Sequence, residues 1–347
     1  MDYEEVLKHL CALPGPSGFE SPVAQAAAEL LRTLVDEVRV DRMGSVVGLR
    51  RCGKENAPRL LLDAHLDEIG FLITGHEDGY LRFAPLGGVD PRMLPDRELT
   101  ILTQPPRLGV VACMPPHVQT AEDMNKPQPI KDLYIDVGLS QEEAERLIPV
   151  GTPAVYRAGC TRLGDKLLCG KALDDRACCA AVILAAEELA GKNLPLELSY
   201  VFTTMEEVGS QGAVTAAGEI APDYAVALDV SFAVTPDVPA RNCGKMGGGV
   251  MLGIAPILDN GETDRVRRVA KEQELPLQFE VMGGSTGTDA DCIAASGSGV
   301  RTVLFSIPQK YMHTPVETVA PEDVKATAEL LCAYITDLAR DLAKEGN

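Results

Sequence analysis

The chain has 347 residues, which at about 150 residues per domain means about two domains, or one large domain carrying an insertion. Lys and Arg number 32 against 51 Asp and Glu, a net charge of −19 that argues against nucleic acid or an anionic membrane face as partner and leaves carboxylate to spare for metal cations. Hydrophobic residues are 46% of the chain, so it is globular and not a disordered acidic tail, while the lack of Trp and an aromatic content of 4% disfavour a surface for stacking sugars or bases.

Met1-Asp2-Tyr3-Glu4-Glu5 lacks the basic and apolar regions of a secretory signal, and the longest apolar run, Ala177 to Ala186, is too short to span a bilayer. Both features predict a cytoplasmic location. The cysteines are scattered without a Cys-x-x-Cys pair, which predicts reduced thiols acting as small buried hydrophobes.

In chain order, Ser21 reads as an N-cap with Pro22 at the first helical position, opening an amphipathic helix that runs to Val35. Strand-like runs follow at Glu37–Val40, Ser45–Leu49 and Arg59–Ala64, the last apolar almost throughout, as a buried parallel strand is. From Phe71 to Tyr156 the texture changes. Short β-like runs such as Thr100–Thr103 and Gly109–Ala112 are broken by Pro85, Pro91, Pro95, Pro105-Pro106 and Pro115-Pro116, which predicts a small β-rich domain inserted into a larger one. Within it Ser140-Gln141-Glu142-Glu143 is a capping box that starts a helix.

After Gly164 helices and strands alternate: helix Asp174–Ala190, strand Leu196–Thr204, helix Ser210–Ala217, strand Tyr224–Asp229, strands near Val250–Ile254 and Thr302–Ile307, and a last helix from Pro321 to about Lys344. The alternation predicts an α/β fold with a mostly parallel sheet covered on both faces. Residues 1–68 and 164–347 are then the larger, discontinuous domain and residues 69–163 the insert.

Ligands of parallel α/β sheets sit at the carboxyl ends of strands. Polar residues stand there after several apolar runs: His65-Leu66-Asp67-Glu68, Glu206-Glu207, Asp229 and, past a short loop, His313. Asp174-Asp175 opens a helix. Taken singly, each has an ordinary structural reading: a histidine ending a strand, two aspartates favoured by a helix dipole, a solvated Glu-Glu turn, a turn-forming aspartate. Their joint placement is what points to a divalent-metal site of hard-to-borderline ligands, with the carboxylates of Asp174, Glu207 and Asp229 set against two cations and His65 and His313 completing the set.

Other chemistries fit less well. Gly244-Lys245 is not a phosphate loop, because Pro239 stands where Gly is needed and Met246 follows the lysine. The loop Gly283 to Asp289 does not match a dinucleotide fingerprint, and no Gly-x-Ser-x-Gly elbow supports a serine hydrolase. His9, His76 and His117 carry no ligand signal.

The ordered set Pro14-Gly15-Pro16-Ser17-Gly18-Phe19-Glu20, His65-Leu66-Asp67-Glu68-Ile69-Gly70, Ala172-Leu173-Asp174-Asp175-Arg176, Glu206-Glu207-Val208-Gly209, Ala227-Leu228-Asp229, Gly287-Thr288-Asp289-Ala290 and Tyr311-Met312-His313-Thr314-Pro315 resembles the tetrahedral (TET-like) dimetal aminopeptidases, the forty-second metallopeptidase family of clan MH. The resemblance implies a zinc-peptidase-like mixed sheet flanked by helices, with a PDZ-like β domain inserted for dimerisation. It implies two divalent ions, zinc first and cobalt or manganese as alternatives. His65, Asp174 and Asp229 would hold one, and Asp174, Glu207 and His313 the other, with Asp174 bridging. Glu206 would be the general base acting on a water between the ions, and Asp67 would orient His65.

The implied activity is removal of N-terminal residues from short peptides, by dimers assembled into a hollow tetrahedral dodecamer. Lys310, often Arg in the family, and Val250, near a usual Pro, depart from its pattern at positions expected to bear on substrate contacts. A deacylase or carboxypeptidase on the same site is the first rival, and a non-catalytic assembly protein keeping the fold is the second. Some relatives carry an endoglucanase label, against which the lack of Trp weighs.

Overall fold

A computed structural model describes residues 2–120, 126–236 and 238–345. The chain begins with α1 (Tyr3–Ala12), α2 (Ser21–Leu31), β1 (Glu37–Val40), β2 (Val46–Arg50) and β3 (Arg59–His65). Six strands of a separate unit follow: β4 (Gly70–Glu77), β5 (Tyr80–Leu86), β6 (Glu98–Ile101), β7 (Arg107–Ala112), β8 (Tyr134–Asp136) and, after α3 (Gln141–Leu147), β9 (Pro153–Tyr156). The chain then forms β10 (Thr161–Leu163), β11 (Leu167–Gly170), α4 (Leu173–Leu189), β12 (Glu197–Thr203), α5 (Gln211–Ile220) and β13 (Tyr224–Phe232). It ends with β14 (Val250–Ile254), α6 (Asn260–Glu272), β15 (Leu277–Val281), α7 (Ala290–Ala294), β16 (Arg301–Lys310), β17 (Glu317–Val319) and α8 (Pro321–Glu345).

Most strands outside the insert join one sheet in the order β1-β2-β12-β3-β13-β16-β17-β11-β10, with β14 pairing β16 and carrying β15 at its other edge. Its centre, β12-β3-β13-β16, is parallel. The flanks are not, which corrects the prediction of a mostly parallel sheet. β1–β2, β10–β11 and β16–β17 are joined by connections too short for a crossover, so they can pair only antiparallel. β10, at the end of the predicted insert, pairs here with β11.

Alternation along β3 divides the core. Leu60, Leu62 and Ala64 face a large cluster built from α1, α2, α4 and α8, while Leu61 faces a smaller one with α5 and α7. The Ala- and Cys-rich α4 is buried on nearly every side, which is why its sequence reads as an unbroken apolar run. Four of the cysteines, Cys11, Cys178, Cys179 and Cys332, are buried as predicted, but the other six are partly exposed, and all ten are free thiols.

The strands β4-β5-β8-β7-β6-β9 close into a small antiparallel barrel with its own core, where Phe71 packs edge-on against Phe83 and Tyr156 at ring-centre distances of 5.5 and 5.3 Å. The capping box at Ser140 and Glu143 is formed, as its sequence predicts. Among the described residues no helix is long and apolar enough to cross a membrane.

Two helix starts differ from prediction for a reason that leads to the site. α2 is N-capped by the Glu20 position, not by Ser21, and ends at Leu31. The Glu20 carboxylate gives its first turn no cap because it accepts instead from the Gly18 and Met205 amides, at 2.7 and 3.1 Å. In α4, Asp174 and Asp175 depart from helical geometry, with ψ of 105° and 30°. Their side chains are used elsewhere.

Candidate metal centre

Three strand ends, the interior of a fourth strand that runs three residues past its predicted end at Asp229, and one helix start bring the predicted residues together. His65 closes β3, Glu206 and Glu207 follow β12, Asp229 lies in β13, His313 lies in the turn between β16 and β17, and Asp174 enters from the head of α4. The two oxygens of Asp174 face different imidazoles: Oδ1 is 3.1 Å from His65 Nε2 and Oδ2 is 3.4 Å from His313 Nε2. Glu207 Oε1 is 3.2 Å from His313 Nε2, while Asp229 Oδ1 and Glu206 Oε2 are each 4.0 Å from His65 Nε2.

Both imidazoles direct Nε2 inward because Nδ1 is engaged by a backbone carbonyl. His65 Nδ1 donates to Asp67 O at 3.1 Å, and His313 Nδ1 donates to Gly88 O at 3.0 Å. An imidazole fixed in this way presents its other nitrogen lone pair as a ligand does. The Asp67 carboxylate stands farther from His65, at 3.5 Å. It is occupied by the Ser17 hydroxyl at 2.6 Å and by the Glu206 and Glu207 amides at 3.0 and 3.2 Å. Asp67 therefore fixes the Glu206-Glu207 turn as well as contacting His65.

Two further buried carboxylates work in the same way and were missed in the sequence. Glu317 accepts from the Asp174 amide at 3.2 Å and from the His313 amide at 3.0 Å, tying both sides of the cluster to β17. Glu20 holds the amide of Met205, next to Glu206. These grips matter because Ala172, Met205, Tyr311 and His313 all have left-handed φ, between 59° and 61°, a conformation non-glycine residues keep only where surroundings impose it. The Pro14–Glu20 motif acquires a role here: Ser17 and Glu20 hold the site from below, and the Gly15 amide donates to Glu68, itself paired with buried Lys171 and Arg176.

The barrel contributes the loop Gly87-Gly88. A Cβ on Gly88 would lie 2.7 Å from His313 Nδ1, and one on Gly87, whose φ is +84°, would lie 2.7 Å from Ile69 and 3.1 Å from Glu207 Oε2. Gly88→Ala is therefore expected to displace the His313 ring and weaken metal binding by about 10- to 100-fold, measured by competition with a chromogenic chelator.

Asp175, which reads in sequence as a helix-end charge, also belongs to the cluster. Ligand atoms of His65, Asp175 and Asp229 lie within 4.8 Å of one another, as do those of His65, Asp174 and Glu207. Asp175 Oδ1 is buried and has no hydrogen-bond partner. Burial, then repulsion among neighbouring carboxylates, pushes Asp229 up, and burial does the same to Asp175. Burial raises Glu206 to about 8, with Asp289 and Glu207 adding to the effect, and raises Glu207 as well. Burial also opposes a charged His313, but its hydrogen bonds to Asp174 and Glu207 prevail and lift it to about 11. Such a crowd of buried acids calls for positive charge. Nitrogen and oxygen donors without a thiolate, an orphaned carboxylate oxygen among them, suit divalent cations of the zinc, cobalt or manganese type.

The cluster opens into a cavity of about 450 Å³ whose other walls include Ser231, Phe232, Glu280, Thr288, Ser306 and Met312. Neither Lys310 nor Val250 lines it; Val250 is buried in the main core. His76 donates to or accepts from nothing in the cluster and meets the Ile148 carbonyl at 2.7 Å.

Residues 44–330 match the M42 glutamyl aminopeptidase family. The chain belongs to that family. M42 peptidases are metallopeptidases, and this member is accordingly a peptide-hydrolysing enzyme. It is 34% identical to a lysyl aminopeptidase of Pyrococcus furiosus over 96% of this chain and 97% of the relative. Among solved structures it resembles a TET aminopeptidase from a marine-sediment Thaumarchaeota archaeon, with a TM-score of 0.93 and 31% identity over 99% of both chains. It also resembles the Pyrococcus horikoshii TET1 peptidase, described as assembling into a tetrahedron or a large octahedral shell, with a TM-score of 0.85 and 32% identity over 97% of this chain and 99% of that one. The M42 fold is thus a mixed sheet flanked by helices, with a small barrel beside it.

Proposed function

We propose that this M42 enzyme is a two-metal aminopeptidase acting on short peptides. The observation that carries the reading is the position of Asp174, whose two carboxylate oxygens face His65 and His313 separately at the head of a cavity that also holds Glu206. His65, Asp174 and Asp229 would hold one divalent ion, zinc first, and Asp174, Glu207 and His313 the second, with Asp175 close enough to His65 and Asp229 to share in the first. Bound there, the ions would acidify water and polarise a carbonyl.

Glu206 is the residue left to move the proton. Its carboxylate lies 4.0 Å from His65 Nε2 yet engages no hydrogen-bond donor as firmly as Asp174 does, which leaves it able to accept and return a proton beside the ions. It takes the proton of the attacking water and delivers it to the departing amine nitrogen. Asp67 holds the turn that aims it. A free α-amino group, in its neutral form, would ligate one of the ions as an acylated N-terminus cannot, which favours an exopeptidase working from the N-terminus.

The barrel is the dimerisation unit in this reading, β4 to β9 within the insert of residues 69–163, whose last strand β10 joins the sheet of the catalytic domain formed by residues 1–68 and 164–347. Leu108 and Val110 leave an apolar strip exposed on β7, as an assembly surface requires. The likeness to TET assemblies, a dodecamer among them, supports a tetrahedral dodecamer built from such dimers, and the cytoplasm is the compartment this reading assigns to it. Metal titration tests the enzymatic part: hydrolysis of a free dipeptide amide should vanish in chelator and return at two ions per chain. Full activity in chelator would contradict it.

A further inference from the structure

Two thiols that the metal centre does not use meet where the chain leaves the barrel and returns to the main sheet. Cys11 lies near the end of α1 and Cys160 between β9 and β10. Their side chains are hydrogen-bonded to one another, and both pack into the main core. The β10–β11 ladder pairs Thr161 with Cys169, so one step further Gly170 faces Cys160, where a Cβ on residue 170 would lie 2.7 Å from Cys160 Cα. Glycine is what lets the backbone bearing Cys160 come so close. From the other side, Cys11 Sγ lies 3.6 Å from the Ala172 carbonyl oxygen, and Arg176 holds the carbonyls of Leu10 and Leu13 at 2.7 and 2.6 Å. Neighbouring sulfurs on two segments fixed in this way need only a small approach to bond.

The two thiols are unequal. Cys11 is fully buried, and burial pushes its thiol well above the ordinary range, with Cys160 adding to the effect. Cys160 is partly exposed; the hydrogen bond from Cys11 lowers its thiol, partial burial opposes this, and Lys8 adds to the lowering. An accessible thiol of this kind is the one that attacks an oxidant, and a buried neighbour is the one that resolves the product.

We propose that Cys11 and Cys160 are a redox pair that closes a reversible disulfide under hydrogen peroxide and locks α1 to the strand leaving the insert. The Cys160 thiolate attacks one peroxide oxygen, the O–O bond breaks and hydroxide leaves, giving a sulfenic acid. Cys11 then attacks that sulfur, gives up its proton and displaces the oxygen as water. The two sulfurs lose two electrons in all, peroxide takes them up and ends as two waters, and a dithiol reductant reverses the bond. The bond closes a loop of about 150 residues, which restricts the unfolded chain strongly. It also fixes the end of α1 from which the Pro14–Glu20 motif departs, and Ser17 through Asp67 and Glu20 through Met205 steady the turn that carries Glu206 and Glu207. None of the proposed metal ligands takes part, so the lock stands or falls separately from the aminopeptidase reading.

The test exposes the zinc-loaded full chain to a small excess of hydrogen peroxide and maps its peptides by mass spectrometry without reduction. The expected result is one pair of peptides joined through Cys11 and Cys160, loss of two of the ten thiols in a thiol titration, and return of both with dithiothreitol. The midpoint of thermal unfolding should rise by about 5 °C in the oxidised protein. In Cys11→Ala, dimedone should capture Cys160 as its sulfenic acid, and Cys160→Ser should neither cross-link nor gain heat stability on oxidation. Peroxide-treated wild type in which Cys11 and Cys160 stay unlinked would overturn the proposal. A linked protein that unfolds at or below the temperature of the reduced one would overturn the lock.

Discussion

Glu206→Gln should lower kcat by about 10³-fold, within the range that a positioned general base contributes, while the protein binds as many ions as the wild type. Gln keeps the shape of the side chain and the backbone contacts of its amide with Asp67, at 3.0 Å, so the turn and its neighbours stay in place. What disappears is the capacity to hold a proton between attack and departure. KM should change little, because the loss falls on the transition state and not on ground-state binding. Parallel determination of metal content by mass spectrometry and of kcat on a dipeptide amide checks both halves. A variant with turnover within tenfold of the wild type would remove Glu206 from the role of base, whereas loss of metal along with turnover would make it a ligand.

Asp174→Asn should have a larger effect on the ions themselves. Each Asp174 oxygen serves a different histidine, at 3.1 and 3.4 Å, and no single replacement reproduces two anionic oxygens. The amide offers one oxygen and turns an NH₂ group toward the other position, where a cation would be repelled. Stoichiometry should fall from two ions per chain to one or none, and kcat/KM by at least about 10³-fold, equivalent to about 4 kcal/mol of lost transition-state stabilisation. The fold should survive, since the backbone amide of residue 174 keeps its bond to Glu317 at 3.2 Å, and a thermal melt in chelator beside that of the wild type measures this. Retention of two tightly bound ions would contradict the bridging position of Asp174.

The layout of the site was legible in the sequence because strand ends are legible. An apolar run such as Leu60 to Ala64 declares a buried strand, and the polar residues after it must lie at the sheet's carboxyl edge, where His65 and Asp67 indeed are. The barrel was legible as a change of texture, but its closure was not, since strand partners such as β6 and β9 are far apart in sequence. The sheet flanks depart from the parallel pattern because their connections are too short for a crossover, and the start of α2 departs because local signals do not reveal long-range uses. Ser21-Pro22 looks like a cap, but the Glu20 carboxylate is drawn to Met205, nearly two hundred residues away.

Residues that act through the backbone left no pattern to read. Glu317 is a single acid in an ordinary context, Glu20 closes a motif that does not tell its use, both matter for the amides they accept from, and Gly88 matters for a carbonyl and for the absence of a Cβ. Asp175 was visible but had a sufficient local explanation in the helix dipole, and only burial without a partner for Oδ1 tells against it.

Cleavage is expected only where a free N-terminus meets the two-metal cluster. The most direct measurement is hydrolysis of one tripeptide by the metal-loaded enzyme, with its α-amino group free and with it acetylated, followed by separation of the products. The prediction is release of the first residue from the free peptide and no cleavage of the acetylated one. Equal cleavage of both, or release of the acetyl group alone, would contradict it and make the enzyme an endopeptidase or a deacylase.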